Sequence, residues 1–209
     1  MKYYQFTEQD KLALCRQAPE FTDIMRQEQL EQESCGEDLF YALIRSIISQ
    51  QLAVKAADSI FRRVQTMLGE ITAENFRNAN DETLRNCGLS SRKVEYLKGI
   101  ANAALSGKIN FQELSEKTDT EIIAALTQLK GVGVWTAEML LISALGRPDI
   151  LSYKDLGIRR GIMLLYGLQT LTEKQFEEYR KRYSPYGTLA SFYLWRIKDL
   201  AVEKTKEKG

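Results

Sequence analysis

From Leu39 the apolar positions run Phe40, Leu43, Ile44, Ile47 and Ile48, the stripe of a helix that buries one face. Continued in phase, that stripe would demand apolar side chains at Gln51, Lys55 and Asp58. Instead it resumes at Ala53, Ala56, Ala57, Ile60, Phe61 and Val64. One helix therefore ends and another begins, with a break near Ser49 to Leu52 that presents Gln50 and Gln51. Further on, Thr118 and Glu121 fit a capping box ahead of Ile122, Ile123, Leu126 and Leu129 at helical spacing. Gly131-Val132-Gly133 then turns the chain into a second helix, from Val134 to about Leu145. Trp135, Met139, Leu140, Leu141, Ile142 and Leu145 make this helix apolar nearly all round, which predicts burial.

The remaining pattern is helical too. Residues 1–38 read as one or two amphipathic helices carrying Phe6, Leu12, Leu14, Phe21, Ile24 and Met25. Residues 72–106 read as two short helices, with Gly88 ending one and Ser90 or Ser91 capping the next. Leu84, Leu89, Val94, Leu97 and Ile100 are their core positions. A helix opens after Asp155, Thr172 caps the next, Pro185 starts the last, and the lysine-rich stretch after Asp199 reads as frayed. No convincing β alternation, repeat or low-complexity linker interrupts the series, so the fold class is all-α.

Composition narrows the chemistry. A hydrophobic fraction of 44% and a charged fraction of 27% are those of an ordinary globular protein. No apolar run approaches a membrane span and Met1-Lys2-Tyr3-Tyr4 opens no signal peptide, so no membrane partner and a cytoplasmic location are expected, nucleoid-associated in a bacterium. The chain has no histidine, which removes imidazole-dependent triads and most zinc hydrolases. Cys15, Cys35 and Cys87 are scattered, without a CxxC pair for a disulfide framework or structural zinc. The net charge of +1 conceals an asymmetry: residues 1–40 hold four basic and nine acidic side chains, net −5, and the remainder carries net +6. The basic excess thus lies after residue 40, and it is modest for a tight nucleic-acid binder.

The glycine turn is a natural phosphate seat, because the helix after it directs unsatisfied N–H groups outward. On its own the match is weak, and a plain helix–helix connector is the better reading of it. LKGVGVWTA, however, resembles the helix-hairpin-helix of the HhH-GPD superfamily of base-excision DNA glycosylases, and SYKDLGIRRG follows it at that family's spacing. Three further blocks match in order: YALIRSIISQQLAVKAADSIFRRV, GLSSRKVEYLKGIANAAL and SPYGTLASFYLWRI. Within the superfamily the chain most resembles the alkylation-repair branch, DNA-3-methyladenine glycosylase II.

The resemblance implies a two-lobed helical fold. Residues 39–155 would form a helical-barrel lobe carrying the hairpin at about 120–146. Residues 1–38 and 156–209 would pair as a second lobe, with the active cleft between the two. Asp155 falls at the catalytic position; the plainer reading is a cap for the helix that begins at Leu156, and both roles can hold at once. Trp135, Trp195, Met139 and Tyr193 fall at positions of the base pocket, where an indole face attracts a cationic alkylated base; as core residues they would need no further explanation. Gly131, Gly133, Val132, Lys130, Thr136 and Arg92 would meet the DNA backbone. Gln50 or Gln51 would wedge into the duplex where a nucleotide is withdrawn. Lys93 shares with Arg92 the choice between phosphate contact and a solvated face. The carbonyls of Leu129, Val132 and Val134 are the candidate seat of a structural Na+ or K+, and no cofactor is required.

Two positions depart from the family pattern. Lys130 replaces a usual proline, and Lys154 sits where many relatives have a second acid, which leaves substrate preference open. Trp135 stands where strand-cutting relatives carry a nucleophilic lysine, so a monofunctional hydrolase that leaves an abasic site is expected. The expected substrate is damaged double-stranded DNA bearing alkylated purines, of the 3-methyladenine and 7-methylguanine class, acted on by a monomer. A glycosylase for a neutral lesion, deaminated purine or uracil, and a non-catalytic hairpin module are the alternatives.

Overall fold

The computed structural model describes residues 2–30 and 34–206. In chain order its elements are β1 (Lys2–Tyr3), α1 (Glu8–Gln17), a 3-10 turn (Pro19–Phe21), α2 (Thr22–Gln27), β2 (Ser34–Cys35), α3 (Leu39–Ser49), α4 (Val54–Leu68) and α5 (Ala73–Asn78). They continue with α6 (Asp81–Asn86), α7 (Ser91–Leu105), α8 (Phe111–Leu114), α9 (Asp119–Leu126), α10 (Val134–Ser143), α11 (Leu156–Tyr166), α12 (Glu173–Tyr183) and α13 (Gly187–Lys206). The chain is mainly helical, as its pattern requires. Its one departure among the described residues is a two-residue antiparallel ladder of β1 with β2, in the register Lys2 to Cys35. No helix among these residues is long and apolar enough to cross a membrane.

Two compact units form, residues 1–36 with 146–209 and residues 37–145. The change of unit falls at Leu145–Gly146, ahead of the expected boundary at 155. The cause lies in hydrogen bonds that fasten the segment after Gly146 to the start of α13. Thr188 Oγ1 donates to the Arg147 carbonyl at 2.6 Å, and the Ile150 N–H donates to Thr188 Oγ1 at 3.0 Å. Asp149 accepts from the Gly187 N–H at 3.0 Å and from Ser184 Oγ, and Ser191 Oγ donates to the Ile150 carbonyl at 2.8 Å.

The first unit is built on α11 against α13, which bury Ile158, Ile162, Leu189, Ala190 and Leu194 together with Leu14, Phe21, Phe176 and Tyr183. The buried Tyr183 hydroxyl donates to Tyr166 at 3.1 Å, and Arg182 pairs with Glu20 at 3.0 Å, tying α12 back to the N-terminal helices. In the second unit α3 is central, packed on α4, α7, α8 and α10, with Leu43, Ile44, Ile47 and Ile48 fully buried.

Several local expectations change. Residues 73–105 form three helices, not two, because the Asn80 side chain accepts from the N–H groups of Glu82 and Thr83 and starts α6 afresh. The last helix begins at Gly187, since the Tyr186 N–H bonds the Tyr183 carbonyl and closes a turn around Pro185. Its tail does not fray after Asp199 but remains helical to Lys206.

Candidate active site

The hairpin in the second unit forms as its residue types dictate. Thr118 caps α9 reciprocally with Glu121, the chain turns through Gly131 at φ +87°, and Gly133 leads into α10. The Tyr96 ring occupies the space where a side chain at 131 would begin: a Cβ there would lie 2.3 Å from Tyr96 Cδ2. Glycine is thus required twice over at this position, by conformation and by contact. The N-cap of α10 is Gly133, which has no side chain to cap the helix.

The side chains around the turn divide into two sets. Lys130 is exposed and pairs with Glu95 at 3.0 Å. Val132 and Thr136 are buried, so only their backbone can meet a ligand. Trp135, 42% exposed, and Val134, 43% exposed, correct the expectation that α10 is buried throughout: its first turn projects beyond the core. Met139 is half-buried on the same face as Trp135, one turn on. The Val132 N–H already bonds the Leu129 carbonyl at 3.1 Å, and a carbonyl oxygen has a second lone pair that could take part in a neutral oxygen set for a monovalent cation.

At the break after α3 the chain makes a turn of specific type. Gln50 has φ −51° and ψ 131°, Gln51 has φ +58°, and the Leu52 N–H donates to the Ser49 carbonyl at 3.2 Å. This is a type II turn, with Gln51 at the position that favours glycine. Lys93 Nζ donates to the carbonyls of Ile48 at 2.7 Å and of Gln50 at 2.8 Å, and burial lowers its pKa below the ordinary lysine value. A hydrogen bond from a charged donor contributes about 1.5–3 kcal/mol, against about 1–2 kcal/mol for an L-residue in the left-handed region, so the lysine can hold the strained form. Gln50 Nε2 donates to the Gly131 carbonyl at 3.0 Å and joins the turn to the hairpin. Arg92 is exposed and stays outside, stacked over Tyr96 with Nε donating to its hydroxyl. The sequence paired Arg92 with Lys93; the structure separates them.

In the first unit Asp155 is the N-cap of α11, with Oδ1 accepting from the Ile158 N–H at 2.8 Å. The same oxygen accepts from Trp195 Nε1 at 3.0 Å. Asp155 is only 9% exposed, so these bonds hold a carboxylate that is largely out of water. Gly157 makes room for the arrangement: a Cβ there would lie 2.9 Å from Trp195 Cδ1 and 3.1 Å from Asp155 Oδ1. Phe192 meets the indole edge-on, with ring centroids 5.5 Å apart. Lys154 is exposed and lies over the Tyr153 ring, which Arg159 also covers at 4.8 Å.

Tyr193 does not share this site. It is fully buried in the core formed with Leu14 and Phe21, close enough to Lys11 and Glu8 of α1 to feel their charges. Residues two apart on a helix point about 200° from one another, so Trp195 at Asp155 requires Tyr193 to face elsewhere. Sequence reading missed Gly157, whose signal is a glycine in the first turn of a helix just after an aspartate cap. It also missed the inward course of Lys93, which leaves no sequence signal.

The HhH-GPD superfamily base excision DNA repair protein model matches residues 44–185. DNA-3-methyladenine glycosylase 1 of Schizosaccharomyces pombe is 42% identical over 164 residues, 76% of this chain and 72% of the relative. The fold superposes on the crystal structure of a DNA-3-methyladenine glycosidase from Bacillus halodurans with a TM-score of 0.86 at 34% identity, covering 97% of this chain and 95% of that one. An S. pombe 3-methyladenine DNA glycosylase in complex with abasic DNA gives 0.78 at 34% identity, covering 90% and 95%. The chain belongs to the HhH-GPD superfamily of base excision DNA repair proteins.

Proposed function

We propose that the protein is a monofunctional DNA N-glycosylase that excises alkylated purines, of the 3-methyladenine and 7-methylguanine class, from duplex DNA. The observation that carries this reading is the Asp155 carboxylate, shielded from water and oriented through one oxygen by the Ile158 N–H and the Trp195 indole. A negative charge held in this way stabilises the positive sugar that forms as the base departs, and assists the attacking water. An alkylated purine leaves as a neutral base, so no strong general acid is needed. The exposed indole of Trp135 offers a face to a cationic base, and the occupant of that position is no lysine, so no Schiff base forms and the strand stays intact. The turn of Gly131 and the start of α10, whose N-cap Gly133 carries no side chain, suit a backbone phosphate. The relatives' names and the DNA held in the S. pombe complex support the substrate class.

The hairpin carbonyls of Leu129, Val132 and Val134 would hold Na+ or K+ in a structural role. The protein would work as a monomer in the compartment that holds the DNA.

The test is base release from randomly methylated duplex, followed by chromatography, with strand breaks scored before and after alkali. Release of methylated purines, with breaks only after alkali, is the expected result. Breaks without alkali would exclude a monofunctional hydrolase, and release of uracil or hypoxanthine in their place would move the substrate to a neutral lesion. A finer prediction concerns Trp195→Phe, which keeps an aromatic face and removes the N–H donor. Its turnover is expected to fall about tenfold, the equivalent of ~1.4 kcal/mol, with KM nearly unchanged. A rise in KM at constant turnover would assign Trp195 to base stacking and not to the carboxylate.

A further inference from the structure

The turn between α3 and α4 has a backbone its own residue types do not favour. Among the described residues Gln51 is the one non-glycine with positive φ, and it occupies the glycine position of a type II turn. Types I and II differ by a flip of the central peptide, here the bond from Gln50 to Gln51. In type I the second central residue has negative φ, which glutamine adopts without strain. The Gln50 carbonyl therefore has two available directions, and the bond from Lys93 Nζ at 2.8 Å selects one of them. The second bond, to the Ile48 carbonyl at 2.7 Å, anchors the lysine on the last turn of α3, so its grip on Gln50 is referred to a rigid helix. Gln50 Nε2 on the Gly131 carbonyl fixes the same turn from the hairpin side.

The turn type decides where the next side chain points. With Gln50 committed to Gly131, Gln51 and the residues after it as far as Ala56 are exposed and stand away from the core. We propose that Lys93 is a positioning residue, which holds the Ser49–Leu52 turn in its type II form and so aims Gln51 at the gap left by a withdrawn nucleotide. This rests on the glycosylase reading. Lys93 spends its charge on two backbone carbonyls of its own chain and contributes to damage recognition without contacting phosphate.

Binding to two duplexes tests the proposal: one undamaged, one with a stable tetrahydrofuran abasic site, each titrated by fluorescence anisotropy over a range of salt. Wild type is expected to prefer the abasic duplex. Lys93→Met should weaken abasic binding about tenfold while leaving undamaged binding and its salt slope unchanged, and Lys93→Arg should recover most of the loss. Gln51→Gly keeps the left-handed backbone and deletes the side chain, so adding Lys93→Met to it should cost nothing more. Where Lys93→Met fails to fold by thermal melting, Lys93→Gln, a neutral and shorter donor, gives the same comparison. Equal weakening on both duplexes, with a salt slope shallower by about 0.9, would mean a direct phosphate contact and overturn the proposal. So would full additivity with Gln51→Gly, or no effect. A wild type indifferent to the abasic site would sink the glycosylase reading and this proposal with it, and that is seen before any variant is compared.

Discussion

Replacing Asp155 with Asn is expected to reduce release of methylated purines by at least about 10² to 10³-fold while leaving the fold intact, because it removes a charge and little else. Asparagine caps a helix about as well as aspartate, so the bond to the Ile158 N–H survives, and its side-chain oxygen still accepts from Trp195 Nε1. The stability cost is the loss of a negative charge at a helix N-terminus, about 0.3–1 kcal/mol, or roughly a 1–4 °C fall in Tm for a chain of this size. In the reaction the cost is larger, since the neutral amide cannot stabilise a positive sugar and cannot accept the proton of the attacking water. Single-turnover base release, with DNA binding and thermal melting measured on the same preparation, separates the two effects. An Asp155→Asn protein that releases bases at the wild-type rate would reduce Asp155 to a helix cap.

That same residue shows how much of the site was legible in the sequence. An aspartate opening a helix at a fixed distance from a glycine hairpin is a local signal, and so are the box of Thr118 with Glu121 and the cap at Thr172; all three caps form. The phase slip at Ser49–Leu52 also produced a break between α3 and α4, because burying one face leaves no other way to accommodate the change of register. The turn's type was not legible: it depends on Lys93, more than forty residues away, and propensity alone would have denied Gln51 its positive φ. Trp195 and Tyr193 were grouped as pocket residues although helical geometry sets them on different sides of α13. The unit boundary at Gly146 was hidden because it is made by side-chain to backbone bonds at Asp149, Thr188 and Ser191, residue types that usually read as plain loop and helix surface.

Gly161→Ala is expected to destabilise the protein by about 2 kcal/mol, although the same exchange elsewhere in the chain should stabilise it. Gly161 lies within α11 where that helix crosses α13. A Cβ there would stand 2.4 Å from the Leu194 carbonyl oxygen and 2.8 Å from its carbonyl carbon and Cβ. The obstruction is mostly backbone, so no rotamer change relieves it and the two helices must move apart. Overpacking of this kind costs about 1–3 kcal/mol, and here the upper end applies because the contact that opens is the centre of the first unit's core. Alanine's helix propensity returns about 1 kcal/mol, which leaves the net near 2 and a Tm lower by roughly 4–8 °C. Gly99 in α7 is the control: nothing lies within 4 Å of its added Cβ, so only propensity acts, and Gly99→Ala should gain about 0.5–1 kcal/mol. Opposite signs in paired thermal melts would establish that close approach, and not chain flexibility, explains the glycine at 161. Activity should follow, because Leu194 precedes Trp195: displacing α13 by even a few tenths of an ångström stretches the 3.0 Å bond that orients Asp155. A Gly161→Ala protein that melts above wild type would show that the crossing yields freely and that the packing argument fails.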